Sequence, residues 1–124
     1  MDEFMANVPW GILKIEAAGG GGDIPDADRG GRPVSANERC VTVTVLHGDF
    51  GPVRVRIGEH GDEGGAALAF LGTIECRSGI LEISDIVGEK PYFQMPIEPG
   101  RVKISVELDK LEDAEIVTIK VKAA

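Results

Sequence analysis

Two runs of alternating apolar and polar residues dominate the pattern of this 124-residue chain. The first run covers residues 41–45 and the second covers residues 53–57, and both are rich in valine. Successive side chains of a strand point to opposite faces, so an alternation of β-branched residues predicts two half-buried strands. Glycines and a proline stand between them and favour a turn. The pattern therefore predicts a β-hairpin over residues 41–57.

Five further segments alternate in the same way and predict strands. They cover residues 10–17, 68–77, 80–86, 101–108 and 115–122. The start of the second of these also suits a helical turn, but a strand from Leu68 with a bulge or bend at Gly72 is favoured. A serine and a glycine separate residues 68–77 from residues 80–86, which predicts a second hairpin.

The remaining stretches predict less regular structure. Residues 1–8 indicate a short leader of mixed polarity. Residues 18–38 contain six glycines and two prolines and show no periodicity, so a long loop is expected there. Prolines bound a short apolar stretch around Tyr92 and Phe93, where an edge strand at most is expected.

Seven to eight short strands with no convincing helix predict an all-β fold. A chain of this length has room for one domain, residues 1–124. The alternation fits an antiparallel β-sandwich, in which each sheet has one apolar and one solvated face. A small β-barrel is the alternative. Because no crossover helix is predicted, the pattern does not support a parallel sheet.

The net charge of the chain limits the classes of molecule that it is expected to bind. The formal net charge of −8 argues against a nucleic acid or an anionic membrane, since both require a basic patch. An acidic surface instead favours a basic protein partner. No apolar run is long enough to span a membrane, and acids stand where a signal peptide carries positive charge, so a cytoplasmic protein is expected.

The spacing of the residues that could bind a metal or a phosphate group matches no known type of site. Cys40, His47, His60 and Cys76 lack the paired spacing of a zinc site, and two acidic glycine-rich segments lack the ligand order of a calcium loop. The glycines near residue 20 lack the lysine of a phosphate-binding loop. The sequence therefore predicts no cofactor, no metal and no catalytic residue.

A binding surface is the remaining prediction. One part is an acidic glycine-rich turn, and the other is the proline-bounded apolar stretch. The candidate partner-binding residues are Glu59, His60, Asp62, Glu63, Tyr92 and Phe93. Strand edges of a small sandwich also offer backbone groups to an extended partner or to a second copy of the chain.

Three segments, GPVRVRI, LEISDIVGE and IEPGRVKISVEL, resemble a loose group of small bacterial all-β hypothetical proteins that are common in actinobacteria. The resemblance covers about residues 40–122 and rests on turn residues and alternation. The chain departs from the group in lacking a tryptophan near the middle strand and in ending its last strand with Lys-Val-Lys. The resemblance implies an all-β fold and no established activity.

These observations lead to two function hypotheses. The first is a non-enzymatic protein-binding module, such as an immunity or antitoxin-like protein or an accessory subunit, that binds a basic protein. The alternative is a small hydrolase or lyase, or a metal-dependent protein, with its site in loops 47–51 and 59–65. Self-association into a homodimer through an edge strand is a further expectation.

Overall fold

The computed structural model describes residues 2–19, 24–25, 32–59, 67–88 and 90–123. These residues form ten strands in two five-stranded sheets. The strands are β1 (Asp2–Ala6), β2 (Ile12–Ala17), β3 (Val34–Ala36), β4 (Cys40–Thr44), β5 (Val53–Glu59), β6 (Ala67–Cys76), β7 (Ile80–Asp85), β8 (Phe93–Pro96), β9 (Gly100–Leu108) and β10 (Ile116–Ala123). The first sheet has the order β1-β5-β10-β9-β6 and the second has the order β3-β4-β2-β7-β8. The predicted β-sandwich is confirmed, and the alternative barrel is not formed.

The core lies between the two sheets and is built almost entirely from aliphatic side chains. In-register apolar residues on neighbouring strands make the facing surfaces continuous. Fully buried members of the core are Leu13, Ile15, Val41, Val43, Val55, Ile83, Ile104, Val106, Val117 and Ile119. Their burial removes apolar surface from water at about 25 cal/mol per Å², which is the main contribution that stabilises the sandwich.

Both predicted hairpins are wrong. β4 lies in the second sheet and β5 in the first, so residues 41–57 cross from one sheet to the other. β6 and β7 are likewise in different sheets. The alternation specifies which side chains are buried, but both sheets bury one face against the same core. It therefore cannot distinguish a hairpin from a connection between sheets.

Two stretches predicted as irregular contain strands. The predicted leader forms β1, which pairs with β5 and places Phe4 beside the core. The predicted loop 18–38 contains β3, where Val34 is buried and pairs with Val43. Both strands are short edge strands, and pairing with a neighbour compensates for their weak patterns.

The first sheet is mixed rather than antiparallel, because β10 pairs with β5 in parallel. The prediction of antiparallel sheets is wrong for this one pair of strands, because the chain passes through β6–β9 before it returns beside β5. β6 is a continuous strand as expected, but its register irregularity lies between Leu68 and Phe70 rather than at Gly72. The predicted edge strand after Tyr92 is confirmed as β8.

The connections 7–11, 45–52 and 109–115 meet at one end of the sandwich, which we call the loop end. Backbone hydrogen bonds join them: Val45 N–H donates to Gly11 O at 2.7 Å, and Leu46 N–H donates to Ala114 O at 3.0 Å. None of the described residues belongs to a helix long and apolar enough to cross a membrane.

Candidate binding surface at the loop end

A tight turn at residues 8–11 places Trp10 at the surface. Gly11 N–H donates to Val8 O at 3.0 Å, which makes Pro9 and Trp10 the central residues of the turn. Trp10 has φ 59° and ψ 4°, which is the left-handed conformation that residues other than glycine and asparagine rarely adopt in a turn. Glycine or asparagine is usual there, yet the chain carries a tryptophan that is 68% exposed.

The connection from β4 to β5 presents a second aromatic residue. It contains a short 3-10 turn over Gly48–Phe50. Asp49 N–H donates to His47 Nδ1 at 3.1 Å, and Phe50 N–H donates to His47 O at 2.9 Å. These bonds fix the direction of the turn, and the Phe50 side chain is 80% exposed.

The two connections are locked together. Gly48 N–H donates to Val8 O at 2.8 Å, and the Asn7 side-chain amide donates to Gly48 O at 3.0 Å. A Cβ at Gly11 would lie 2.5 Å from Val45 O, so only glycine permits this approach. The loop end is therefore a rigid platform rather than two independent loops.

Three rings form a row on this platform, which we call the aromatic row: Trp10, His47 and Phe50. The ring centroids of Trp10 and His47 are 6.0 Å apart, and those of His47 and Phe50 are 6.1 Å apart, both with edge-to-face geometry. Exposed tryptophan on a rigid support is typical of the residues that dominate binding energy at protein interfaces.

Carboxylates are concentrated in two of the three connections at the loop end. Asp49 is exposed beside His47, and residues 109–115 contribute Asp109, Glu112, Asp113 and Glu115 against Lys110 alone. Lys110 Nζ lies 2.7 Å from Glu115 Oε2, and the hydrogen bond to this carboxylate raises the pKa of Lys110. We call these five acidic residues the acidic rim. The exposed Leu111 lies in the same connection.

The predicted binding residues Tyr92 and Phe93 lie elsewhere, at the start of β8 and against β1. Their rings contact Phe4, with centroid separations of 5.6 and 6.3 Å, and both are half-buried. The Tyr92 hydroxyl donates to Asp85 Oδ2, while Asp85 Oδ1 accepts from the N–H groups of Val87 and Gly88. The structure thus gives both aromatic residues packing partners within the chain.

Asp85 and Tyr92 shift each other's pKa. Burial opposes ionisation of Asp85, but hydrogen bonds from Gly88, Tyr92 and Val87 outweigh burial and hold the pKa of this carboxyl below its usual range. Burial and the adjacent carboxylate together raise the pKa of Tyr92. The hydrogen bonds that Asp85 accepts from Tyr92, Val87 and Gly88 therefore fix the turn that leads from β7 into β8.

The predicted acidic turn lies mostly outside the described residues. Glu59 ends β5 and lines a groove of about 360 Å³ together with apolar residues of β8, β9 and β10. His60, Asp62 and Glu63 lie outside the described part of the chain. Their assignment to a partner surface remains a prediction.

The described cysteines and histidine do not converge. Cys40 begins β4 at the opposite end of the sandwich from His47, and Cys76 is buried in the core. Desolvation by burial, with Glu16 adding to it, raises the pKa of the Cys40 thiol to about 12. No group of three metal-ligating residues is found among the residues that the structure describes.

No protein-family model and no curated protein matches the chain. Two solved structures share its fold. One is ComJ from Bacillus subtilis, an inhibitor of the DNA-degrading activity of NucA, at a TM-score of 0.74 and 7% identity over 100% of this chain and 96% of that chain. The other is the crocagin biosynthetic gene J product, at a TM-score of 0.53 and 14% identity over 97% of this chain and 98% of that chain.

The aromatic row was missed at the sequence level. The alternation of residues 10–17 predicted a strand that includes Trp10, whereas β2 begins at Ile12. The order Val-Pro-Trp-Gly at residues 8–11 is a turn signal that predicts the exposed Trp10, but its neighbours from the second connection follow only from the tertiary structure.

Proposed function

We propose that this chain is a non-enzymatic protein-binding module that docks onto a basic surface of an enzyme through its loop end. The aromatic row carries the proposal. Trp10 and Phe50 are large apolar side chains that project into solvent from connections whose backbones are joined by hydrogen bonds. Such pre-organisation lowers the entropy cost of association.

The acidic rim supports a basic partner. It places five carboxylates in the connections of the loop end, in a chain whose formal net charge is −8. Carboxylates at the same end of the sandwich as exposed apolar side chains favour a lysine- or arginine-rich surface and accelerate encounter at low ionic strength. Association should therefore weaken as salt rises, whereas the apolar contacts of the row should persist.

The fold neighbour ComJ supports an enzyme as the class of partner. ComJ inhibits the DNA-degrading activity of NucA. An enzyme that acts on a polyanion needs a basic substrate groove, and an acidic rim of this kind would compete for that groove. We infer that the partner is an enzyme with a polyanionic substrate, and that this chain masks the groove in the manner of an immunity protein.

Location, catalysis and self-association are separate predictions for this chain. A cytoplasmic location is proposed on the sequence alone. The hydrolase, lyase or metal-dependent alternative remains a prediction, because most of loop 59–65 lies outside the described residues. Pairing of two copies through an edge strand also remains a prediction.

The experiment compares the wild-type chain with a Trp10→Ala/Phe50→Ala variant as immobilised baits in lysate of the native host. A basic enzyme should bind the wild type at low salt and be absent from the variant. That enzyme is then purified, and its activity is titrated with each protein. Stoichiometric inhibition by the wild type alone would support the proposal, whereas equal inhibition by both proteins would exclude the aromatic row as the docking surface.

A further inference from the structure

The outer face of the first sheet concentrates basic side chains in an otherwise acidic chain. On β5, β9 and β10, the residues of this face alternate with the buried apolar residues of the core. Among the described strand residues, the carboxylates of this face are Glu3, Glu75 and Glu107. Its basic residues are Arg54, Arg56, Arg101, Lys103, Lys120 and Lys122. The face therefore has an excess of positive charge, although the formal net charge of the chain is −8.

Carboxylates compensate the part of this face that is nearer the loop end. Glu3 Oε1 lies 3.5 Å from Arg54 Nε, and Glu3 Oε2 lies 3.3 Å from Arg56 Nε. Lys120 Nζ lies 3.1 Å from Glu107 Oε2. Each of these cations has a carboxylate of the chain within ion-pair distance, so the excess of positive charge lies mainly elsewhere on the face.

Arg101, Lys103 and Lys122 lie at the other end of the face, and we call them the cationic corner. β9 begins at Gly100 and β10 ends at Ala123, so the cationic corner is at the opposite end of the sandwich from the loop end. Lys103 and Lys122 are directly opposite each other in the antiparallel pair of β9 and β10. Like charges at directly opposite positions repel each other and destabilise a sheet.

Arg101 is not paired with a carboxylate of the neighbouring strand. It lies opposite Glu75 of β6 in the register, but Arg101 Nη2 donates to Thr73 Oγ1 at 2.8 Å. The Glu75 carboxylate instead lies 3.4 Å from Nη2 of the exposed Arg77. Within the described part of the chain, no carboxylate is within ion-pair distance of the cationic corner. A partner that brings carboxylates would relieve the repulsion between these cations.

Apolar surface adjoins the cationic corner. Leu71 is 53% exposed and lies two residues before Thr73 on the outward face of β6. Thr73 is opposite Lys103 in the register, so Leu71 and Lys103 are diagonal neighbours. Leucine beside lysine favours a ligand that combines carboxylates with apolar groups. A polypeptide segment has both, whereas a phosphate backbone has only the charge.

We propose that the cationic corner binds an acidic segment of a second protein, with Leu71 in contact with an apolar residue of that segment. A nucleic acid fits this surface less well, because the described outer face has no aromatic side chain that could stack on bases and three cations neutralise few phosphates. The nine residues of β9 span roughly 30 Å, so a partner at this corner leaves the loop end accessible. The chain can therefore hold the proposed enzyme and this second protein at the same time.

The test is an NMR titration of the full chain with a synthetic peptide rich in glutamate and leucine. The comparison ligands are a peptide with lysine in place of glutamate and a polythymidine strand. Lys103→Gln/Lys122→Gln removes two charges from the cationic corner, and Arg54→Gln/Arg56→Gln removes two charges from the compensated part of the same face. The first variant should weaken binding of the acidic peptide about tenfold, because two ion pairs with the peptide are lost, and the second by less than about twofold. Binding by the wild type should fall as salt rises.

Stability supplies a readout that requires no partner. Lys122→Gln removes the repulsion with Lys103, so it should raise the urea midpoint at low salt, and the gain should disappear at high salt. Arg54→Gln, which loses an ion pair instead, should not raise the midpoint. A midpoint lowered by Lys122→Gln, equal weakening of peptide binding by the two double variants, or tighter binding of polythymidine than of the acidic peptide would overturn the proposal. Trp10→Ala/Phe50→Ala should bind the peptide as the wild type does, so failure of the loop-end proposal is distinguishable.

Discussion

The turn at residues 8–11 gives a sharp test of why Trp10 is present. A side chain with φ 59° suffers a clash between its Cβ and the backbone that glycine avoids. We therefore compare Trp10→Gly with Trp10→Ala. Both variants remove the indole ring and its contact with His47, and they differ only in the Cβ atom. The difference between them measures the backbone strain that Trp10 carries.

The expected magnitude follows from two opposing contributions. Relief of the left-handed conformation favours glycine by roughly 1–2 kcal/mol. Glycine loses about 0.4–1 kcal/mol more than alanine in conformational entropy when the chain folds. Trp10→Gly should therefore be more stable than Trp10→Ala by about 0.5–1 kcal/mol, or about 2–4 °C in Tm for a domain of this size.

Urea unfolding at neutral pH measures this difference, and thermal unfolding provides an independent check. Both variants should weaken binding to the proposed partner enzyme by about 30-fold or more, as loss of a central interface tryptophan does. If alanine proved as stable as glycine, the turn would not be strained. If stability followed the prediction but binding did not change, Trp10 would lie outside the interface.

Three further predictions concern the stability of the fold and the reactivity of a buried thiol. Tyr92→Phe should cost about 1.5–3 kcal/mol at pH 7, because it removes a hydrogen bond to the ionised Asp85. The pKa of Asp85 is lower in the folded state than in the unfolded state. The stabilisation is therefore complete above the unfolded pKa and is lost as pH falls through the folded pKa. The difference in unfolding free energy between wild type and Tyr92→Phe, measured in urea titrations, should shrink below about pH 4. Lys120 Nζ and Glu107 Oε2 are 3.1 Å apart, and their side chains are only 13% and 12% exposed. Lys120→Met should therefore lower the unfolding free energy by about 2–3 kcal/mol, because it leaves a buried carboxylate unpaired, and a further Glu107→Leu should recover most of this loss. Additive losses from the two substitutions would contradict this pairing. The Cys40 thiol should resist alkylation at neutral pH until the protein unfolds, and rapid labelling of the native state would show that its burial is incomplete.

The candidate surface combines features that lie far apart in the sequence. Trp10 and Phe50 are separated by forty residues, and the acidic rim comes mainly from the connection before β10. Residues 7–11 and 45–52 become neighbours because β1 pairs with β5 and β2 pairs with β4. The loop end is therefore a product of strand pairing rather than of any local motif.

The sequence by itself determined the class of fold and the faces of the strands. The alternation in residues 101–108 identified Val102, Ile104, Val106 and Leu108 as buried, and all four are. This succeeds because the period of two is a local property of an extended backbone, and because a small domain must bury its aliphatic residues. The proline-bounded edge strand was also predictable, since proline cannot donate to a ladder.

Only the tertiary structure decided which strands pair. β4 and β5 alternate as the two strands of a hairpin would, yet they belong to opposite sheets. β10 joins β5 in parallel although no helix is found among the described residues between these two strands. Both sheets bury the same kind of apolar face against one core, so the choice of neighbour depends on contacts between residues distant in sequence. For the same reason, the aromatic row of Trp10, His47 and Phe50 is visible only after the two sheets have packed.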